Sequence, residues 1–242
     1  MDLGLKGKVA LVAAASQGLG RAVAEELAAE GASLILCARH DAALQETCAA
    51  IARLVEAGLA RFGRIDILVT NAGGPPAGTF DTLSAEQWQA ATSLLLTSVV
   101  ELTRAVLPGM QERGWGRILN ITSISVKQPV ANLMLSNSLR AAVTGMARTL
   151  ATEVAAQGIT VNNILPGYTR TERVVGLAEA TAAREGISAA EATARWENEI
   201  PMRRLGEPKE FAALAAVLCS ERASYITGTS VPVDGGWIRS LL

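Results

Sequence analysis

The chain has 242 residues, half of them hydrophobic and 19% charged, with a formal net charge of −1. That is the length of one large α/β domain and the composition of a globular protein, not a disordered one. Acidic and basic residues are interleaved, which excludes the basic footprint of a nucleic-acid binder, and no uncharged run reaches the roughly 18 apolar residues of a membrane helix.

In chain order, strands are predicted at 8–14, 33–38, 65–70, 116–121, 159–165 and 230–233. Between them fall helices at 18–30, 41–62, 84–112, 133–157 and 207–220. Ser84 with Gln87, and Ser188 with Glu191, have the spacing of capping boxes, and Pro208 suits a first helical turn. The alternation predicts an α/β fold with a doubly wound, mainly parallel sheet and helices on both faces, formed by residues 1–242 as a single domain. Segment 168–205 is a long insertion after a strand's C-terminal end, the place of a substrate lid in such folds. The alternative is a surface helical pair.

The N-terminal residues lack the apolar stretch of a signal peptide, and Cys37, Cys48 and Cys219 are odd in number with no CxxC spacing. A reduced, cytoplasmic protein without a disulfide framework or zinc site is expected. His40, the only histidine, reads as a loop residue. It excludes a multi-histidine metal site, so no metal is expected.

The first strand runs into Ala14-Ala15-Ser16-Gln17-Gly18-Leu19-Gly20, which opens a helix. Glycines there let backbone N–H groups approach a diphosphate, whose charge the helix N-terminus favours. The stretch AAASQGLG is similar to the TGxxxGxG turn of the short-chain dehydrogenase/reductase family, with Ala13 and Ala14 where Thr and Gly are usual. Asn71-Ala72-Gly73 resembles the family's NAG motif. Pro166-Gly167-Tyr168-Thr169-Arg170-Thr171 resembles its PGxxxT segment, and Val233-Asp234-Gly235-Gly236 its C-terminal signature. The motifs occur in family order along the whole chain, and the 3-oxoacyl-acyl-carrier-protein reductase-like branch is the one resembled. The resemblance implies a Rossmann-type dinucleotide-binding domain. It implies that Ala14, Ser16, Gln17, Gly18, Leu19, Gly20, Asn71, Ala72, Gly73, Pro166, Gly167 and Thr169 bind the cofactor, and that Thr171 holds its carboxamide. Ala14 replaces a glycine, and alanine pays at positive φ.

The second strand ends in Ala38-Arg39, where an acidic residue would accept hydrogen bonds from a ribose 2′-hydroxyl. A guanidinium at Arg39 suits a 2′-phosphate, so NADP(H) is preferred and NAD(H) remains possible. Relatives usually have a further strand where Ala50 runs directly into Ile51. Leu44, Cys48, Ile51, Val55, Leu59 and Phe62 keep near-helical spacing, so one helix could cross between strands and give a flavodoxin-like order. The alternative is a loop absent from the sequence.

In the family a serine polarises the carbonyl, a tyrosine thirteen residues later donates the proton, and a lysine four beyond it lowers the tyrosine's pKa and holds the nicotinamide ribose. Ser123 matches the serine. Ser136 and Arg140 stand where the tyrosine and lysine are usual, and Leu95 stands at the position of a relay asparagine. An aliphatic hydroxyl is a far weaker acid than tyrosine, whose pKa is about 10. Arg140 cannot shuttle protons, yet it can bond the ribose and stabilise an oxyanion. Tyr168 is a candidate substitute acid or a pocket-wall residue.

Three readings follow: an NADP(H)-dependent oxidoreductase with a rewired acid (Ser123, Ser136, Arg140), a cofactor-binding protein without dehydrogenase chemistry (a sensor or partner subunit), and a structural protein that has lost the cofactor. The first implies a small-molecule or acyl-carrier-bound substrate, with no nucleic acid and no membrane. By resemblance, a homodimer or homotetramer would form through the helices at 84–112 and 133–157.

Overall fold

Strands and helices alternate as the hydrophobic pattern predicts. The computed structural model describes residues 1–37 and 44–241. Its strands are β1 (Val9–Val12), β2 (Ser33–Leu36), β3 (Ile67–Thr70), β4 (Gly116–Ile121), β5 (Ile159–Pro166) and β6 (Ser230–Val233). They form one parallel sheet in the order β2-β1-β3-β4-β5-β6.

Successive side chains of a strand face opposite sides of the sheet, and the two cores divide accordingly. Ala10, Val12, Ile67, Val69 and Leu119 join α1 (Gly18–Ala29) and α8 (Pro208–Leu218) on one side. Val9, Leu11, Leu68 and Ile118 join α2 (Leu44–Phe62), α4 (Ser98–Arg113) and α5 (Met134–Val154) on the other. The four inner strands, β1, β3, β4 and β5, are buried on both sides, which is why they read as near-continuous apolar runs.

The crossover from β2 to β3 is one helix. Ala50 and Ile51 are consecutive residues of α2, and Ile51, Leu54 and Val55 pack toward the sheet on the side opposite α1. That satisfies the right-handed crossover rule with β2 on one side of β1 and β3 on the other. The strand order therefore begins 2-1-3, the flavodoxin-like arrangement, and β2 is an edge strand.

The helix predicted over 84–112 is broken by a π turn. α3 (Ala85–Thr92) opens on the Ser84–Gln87 capping box, Ser93–Thr97 widens to i→i+5 bonding, and α4 follows. Among the described residues this stretch is the one helix long and apolar enough to cross a membrane. Its Leu102, Val106 and Met110 are buried on the sheet, as in a core helix.

Segment 168–205 holds α6 (Glu172–Glu185) and α7 (Ala189–Glu199), the latter opened by the Ser188–Glu191 capping box. Pro208 takes the first position of α8.

Candidate active site

Beyond the C-terminal ends of β1, β3, β4 and β5 lies a cleft of about 730 Å³. Strand order reverses between β1 and β3, and at such a switch point the following loops diverge and leave a crevice. Ala14, Ser16, Gln17, Gly18 and Leu19 line it from the first turn, and Asn71, Ala72 and Gly73 from the loop after β3. Ser123, Ser136 and Arg140 line it from β4 and α5, and Pro166, Gly167, Thr169 and Thr171 from the segment after β5. Residues spread over most of the sequence thus meet in one place. Gly20 is buried behind the turn instead of lining the cleft. A Cβ there would stand 2.4 Å from the Ala14 carbonyl oxygen and 2.6 Å from Asn71 Nδ2, so only glycine fits. Arg39 and His40 lie outside the described residues.

The helix end is prepared for an anion. Gln17 at the α1 N-cap makes no side-chain cap bond, and the first turn of α1 carries no acid of its own, so its N–H groups face the cleft, with the Glu172 carboxylate of α6 near Gly18. Thr122 Oγ1, also at the cleft, is buried without a hydrogen-bond partner. These features fit the diphosphate and nicotinamide portions of a dinucleotide. The adenine side, beyond Cys37, runs into residues not described.

Ala14 has φ 48°, in the left-handed region. An L-residue there costs about 1–2 kcal/mol, and glycine would relieve it while adding freedom to the unfolded chain. Ala14→Gly is therefore expected to stabilise the fold by about 0.5–1 kcal/mol net. A thermal melt checks this, and a lowered midpoint would contradict it.

Ser123 caps the short helical turn Ile124–Val126, its Oγ accepting the Ser125 N–H at 3.1 Å. With its lone pair engaged, its own O–H remains available to donate. Under it a buried ladder ties four strands together. Thr70 Oγ1 donates to Asn120 Oδ1 at 2.7 Å, Asn120 Nδ2 to Asn163 Oδ1 at 3.2 Å, and Asn163 Nδ2 to Ser230 Oγ at 3.1 Å. This holds the end of β4 beside the end of β3, so Ser123 and the Asn71 loop keep fixed relative positions.

Ser136 and Arg140 are one turn apart on α5. Arg140 donates from Nη1 to the Ile121 carbonyl at 3.0 Å and from Nη2 to the Ala72 carbonyl at 3.5 Å, bridging the ends of β4 and β3. Loss of hydration lowers its pKa to about 10, with the Arg173 cation as the second cause. It stays charged at neutral pH. Leu95 is 2% exposed in a cluster with Ala91, Leu135 and Leu139, an apolar environment that offers nothing to anchor a water.

Tyr168 stacks on Trp196 (centroids 4.9 Å apart) and meets Trp237 edge-on at 6.1 Å. Burial, then Glu199, pushes its pKa up to about 12, the wrong direction for a proton donor. Its place is that of a pocket wall.

Sequence reasoning missed Arg173, in the first turn of α6. Its Nη2 donates to the Pro75 carbonyl at 3.2 Å, and its guanidinium lies flat on Gly74, where a Cβ would come within 2.6 Å of Nη2, Cζ and Nε. The doublet Gly73-Gly74 was the available signal.

Comparison with known proteins agrees with this geometry. Residues 46–238 match the family model described as Enoyl-(Acyl carrier protein) reductase, and residues 8–54 the model described as short chain dehydrogenase. The chain is 34% identical to nodulation protein G of Azospirillum brasilense, over 95% of this chain and 97% of that one. It is 34% identical to the 3-oxoacyl-[acyl-carrier-protein] reductase FabG of Escherichia coli, over 97% and 98%. L-sorbose reductase from Gluconobacter frateurii, solved with NADPH and L-sorbose, superposes with a TM-score of 0.91 at 34% identity, over 100% of both chains. A variant of the actinorhodin polyketide ketoreductase, solved with NADPH, gives 0.90 at 32% identity, over 96% and 98%. Motif order, parallel sheet, switch-point cleft and these relatives agree, and the chain belongs to the short-chain dehydrogenase/reductase family.

Proposed function

We propose that this protein is an NADP(H)-dependent oxidoreductase acting on a carbonyl or alcohol, with its proton donor rewired. The observation that carries this reading is the meeting of Ser123 and Arg140 with the open N-terminus of α1 in one cleft. The solved relatives that hold NADPH support the cofactor choice. Ser16, Gln17, Gly18 and Leu19 would hold the diphosphate. Asn71, Ala72 and Gly73 would hold the ribose side, and Pro166, Gly167, Thr169 and Thr171 the nicotinamide. When bound, the cofactor supplies or accepts the hydride.

Ser123 donates its free O–H to the substrate oxygen. Arg140, held by the Ile121 and Ala72 carbonyls, places a permanent cation beside the charge that develops there. Ser136 orients a water that relays a proton taken up from bulk solvent, since neither its own hydroxyl nor the water is acidic enough to be the source. Segment 168–205 covers the cleft as a lid on a single domain. A cytoplasmic homodimer or homotetramer, taking a small-molecule or acyl-carrier-bound substrate, completes the proposal.

With Arg140 near 10 and Tyr168 near 12, neither group titrates between pH 7 and 9. The rate of carbonyl reduction should vary less than about threefold across that range. A steep limb inside it would mean that another group carries the proton.

Titration of the purified protein with NADPH and NADH tests the central claim. Micromolar binding of NADPH, about −8 kcal/mol, supports it. Binding of neither would remove the enzyme reading, and a preference for NADH would remove the role of Arg39. NADPH binding without turnover on any carbonyl would favour the second reading, a cofactor-binding sensor or partner subunit. The packed Leu95 and the raised Tyr168 are the observations on its side.

A further inference from the structure

Arg140 and Arg173 reach the same cleft from different elements, the one from α5 and the other from the first turn of α6. Each spends part of its hydrogen-bonding capacity on backbone carbonyls, Arg140 on Ile121 and Ala72, Arg173 on Pro75. Among the described residues neither has a carboxylate within ion-pair distance. Burial depresses both guanidinium pKa values, and the Arg173 charge further disfavours that of Arg140. Among the described residues Glu172 is the only acid lining the cleft, and its Oε2 lies toward the α1 N-terminus, 3.7 Å from where a Gly18 Cβ would stand, and forms no ion pair with either arginine.

Two partly desolvated cations without a counter-charge are costly, and a ligand oxyanion that pairs with both recovers that cost. A guanidinium fork matches a carboxylate or phosphoryl group in two parallel hydrogen bonds. The position of Arg140 favours the substrate end of the cleft. It sits one turn from Ser136 and bonds the carbonyl of Ile121, two residues before Ser123. The cofactor's diphosphate has a separate seat at the α1 N-terminus.

We infer that Arg140 and Arg173 together seat an anionic group of the substrate, so that the ligand is a small oxo or hydroxy compound bearing a carboxylate or phosphoryl group. This rests on the oxidoreductase reading and narrows its substrate class. It also gives the Gly74–Arg173 contact a purpose. The Arg173 guanidinium lies against the loop after β3 at the cleft, in space that the missing side chain of Gly74 leaves open.

The test is calorimetric titration of the NADP⁺-loaded protein with pyruvate, acetoacetate and 2-oxoglutarate, each beside its methyl ester, and with inorganic phosphate. At least one anion should bind tenfold or more tightly than its neutral ester. Arg173→Gln should remove that preference, Arg173→Lys should keep part of it, and both variants should bind NADPH within twofold of the parent. Esters binding as well as their acids, or no acid binding to a protein that holds NADP(H), would overturn the inference. So would Arg173→Gln weakening NADPH tenfold while sparing the acids, since Arg173 would then serve a cofactor phosphate. Failure of the parent to bind NADPH is a separate result and counts against the oxidoreductase reading itself. The titration of acids and esters then still decides the anion site in the cofactor-free protein.

Discussion

Carbonyl reduction by the Ser136→Tyr, Arg140→Lys double variant should exceed that of the parent by about 10²–10⁴-fold, the usual contribution of a positioned general acid. Both positions lie on α5 and line the cleft, so a tyrosine ring at 136 would be presented to it. Ser123 already stands across from them with a free O–H. A phenol is acidic enough to deliver a proton at useful rates once a cation lies beside it, and the lysine provides that cation while restoring the family pairing. Leu95 keeps the relay incomplete, which places the gain toward the lower end of the range. The measurement is NADPH consumption with a panel of ketones, run beside NADPH binding. A variant that binds NADPH and gains nothing would show that the loss of Tyr and Lys does not limit this chain.

Phe211→Ala should destabilise the fold by about 3–5 kcal/mol, the cost of losing a fully buried ring and leaving a cavity. Phe211 is 0% exposed and packs among the side chains of α1, α8 and the sheet face that carries Ala10, Val12 and Ile67. A domain of ordinary stability has roughly 5–15 kcal/mol in total, so the variant would sit near its folding threshold. Its melting midpoint should fall by roughly 6–20 °C for a chain of this length. A change corresponding to less than about 1 kcal/mol would mean that neighbouring side chains collapse into the space, which close packing resists.

Much of the site was legible because its signals are local. Gly18 and Gly20 announce a turn that must bring backbone close to a ligand, and the run from Lys8 to Ala14 announces the strand before it. The spacing of Ser136 and Arg140 puts them on one helix face whatever the surroundings. The single crossover helix was one of two open readings, suggested by the spacing of Leu44, Cys48, Ile51, Val55, Leu59 and Phe62 across the junction at Ala50, and the fold decided for it. The π turn at Ser93–Thr97 was not. A helical period and a widened turn differ by one residue, and no side chain in that stretch marks the change.

By itself the sequence determined the alternation of strands and helices, the glycine turn that opens α1, and the placing of Ser136 and Arg140 one helical turn apart. Each depends on residue type and short-range spacing, which folding does not alter. Only the tertiary structure decided that β2 closes the sheet edge and that Ala14 takes a left-handed backbone. It also decided that Leu95 is sealed in apolar packing, and that Tyr168 stacks on Trp196 with its phenol pKa pushed up by burial. The placing of Arg173 against Gly74 and Pro75, 98 positions away from the latter, belongs to the same class. Hydration, strain and the company a charge keeps are properties of contacts between distant segments, and these exist only once the chain has folded.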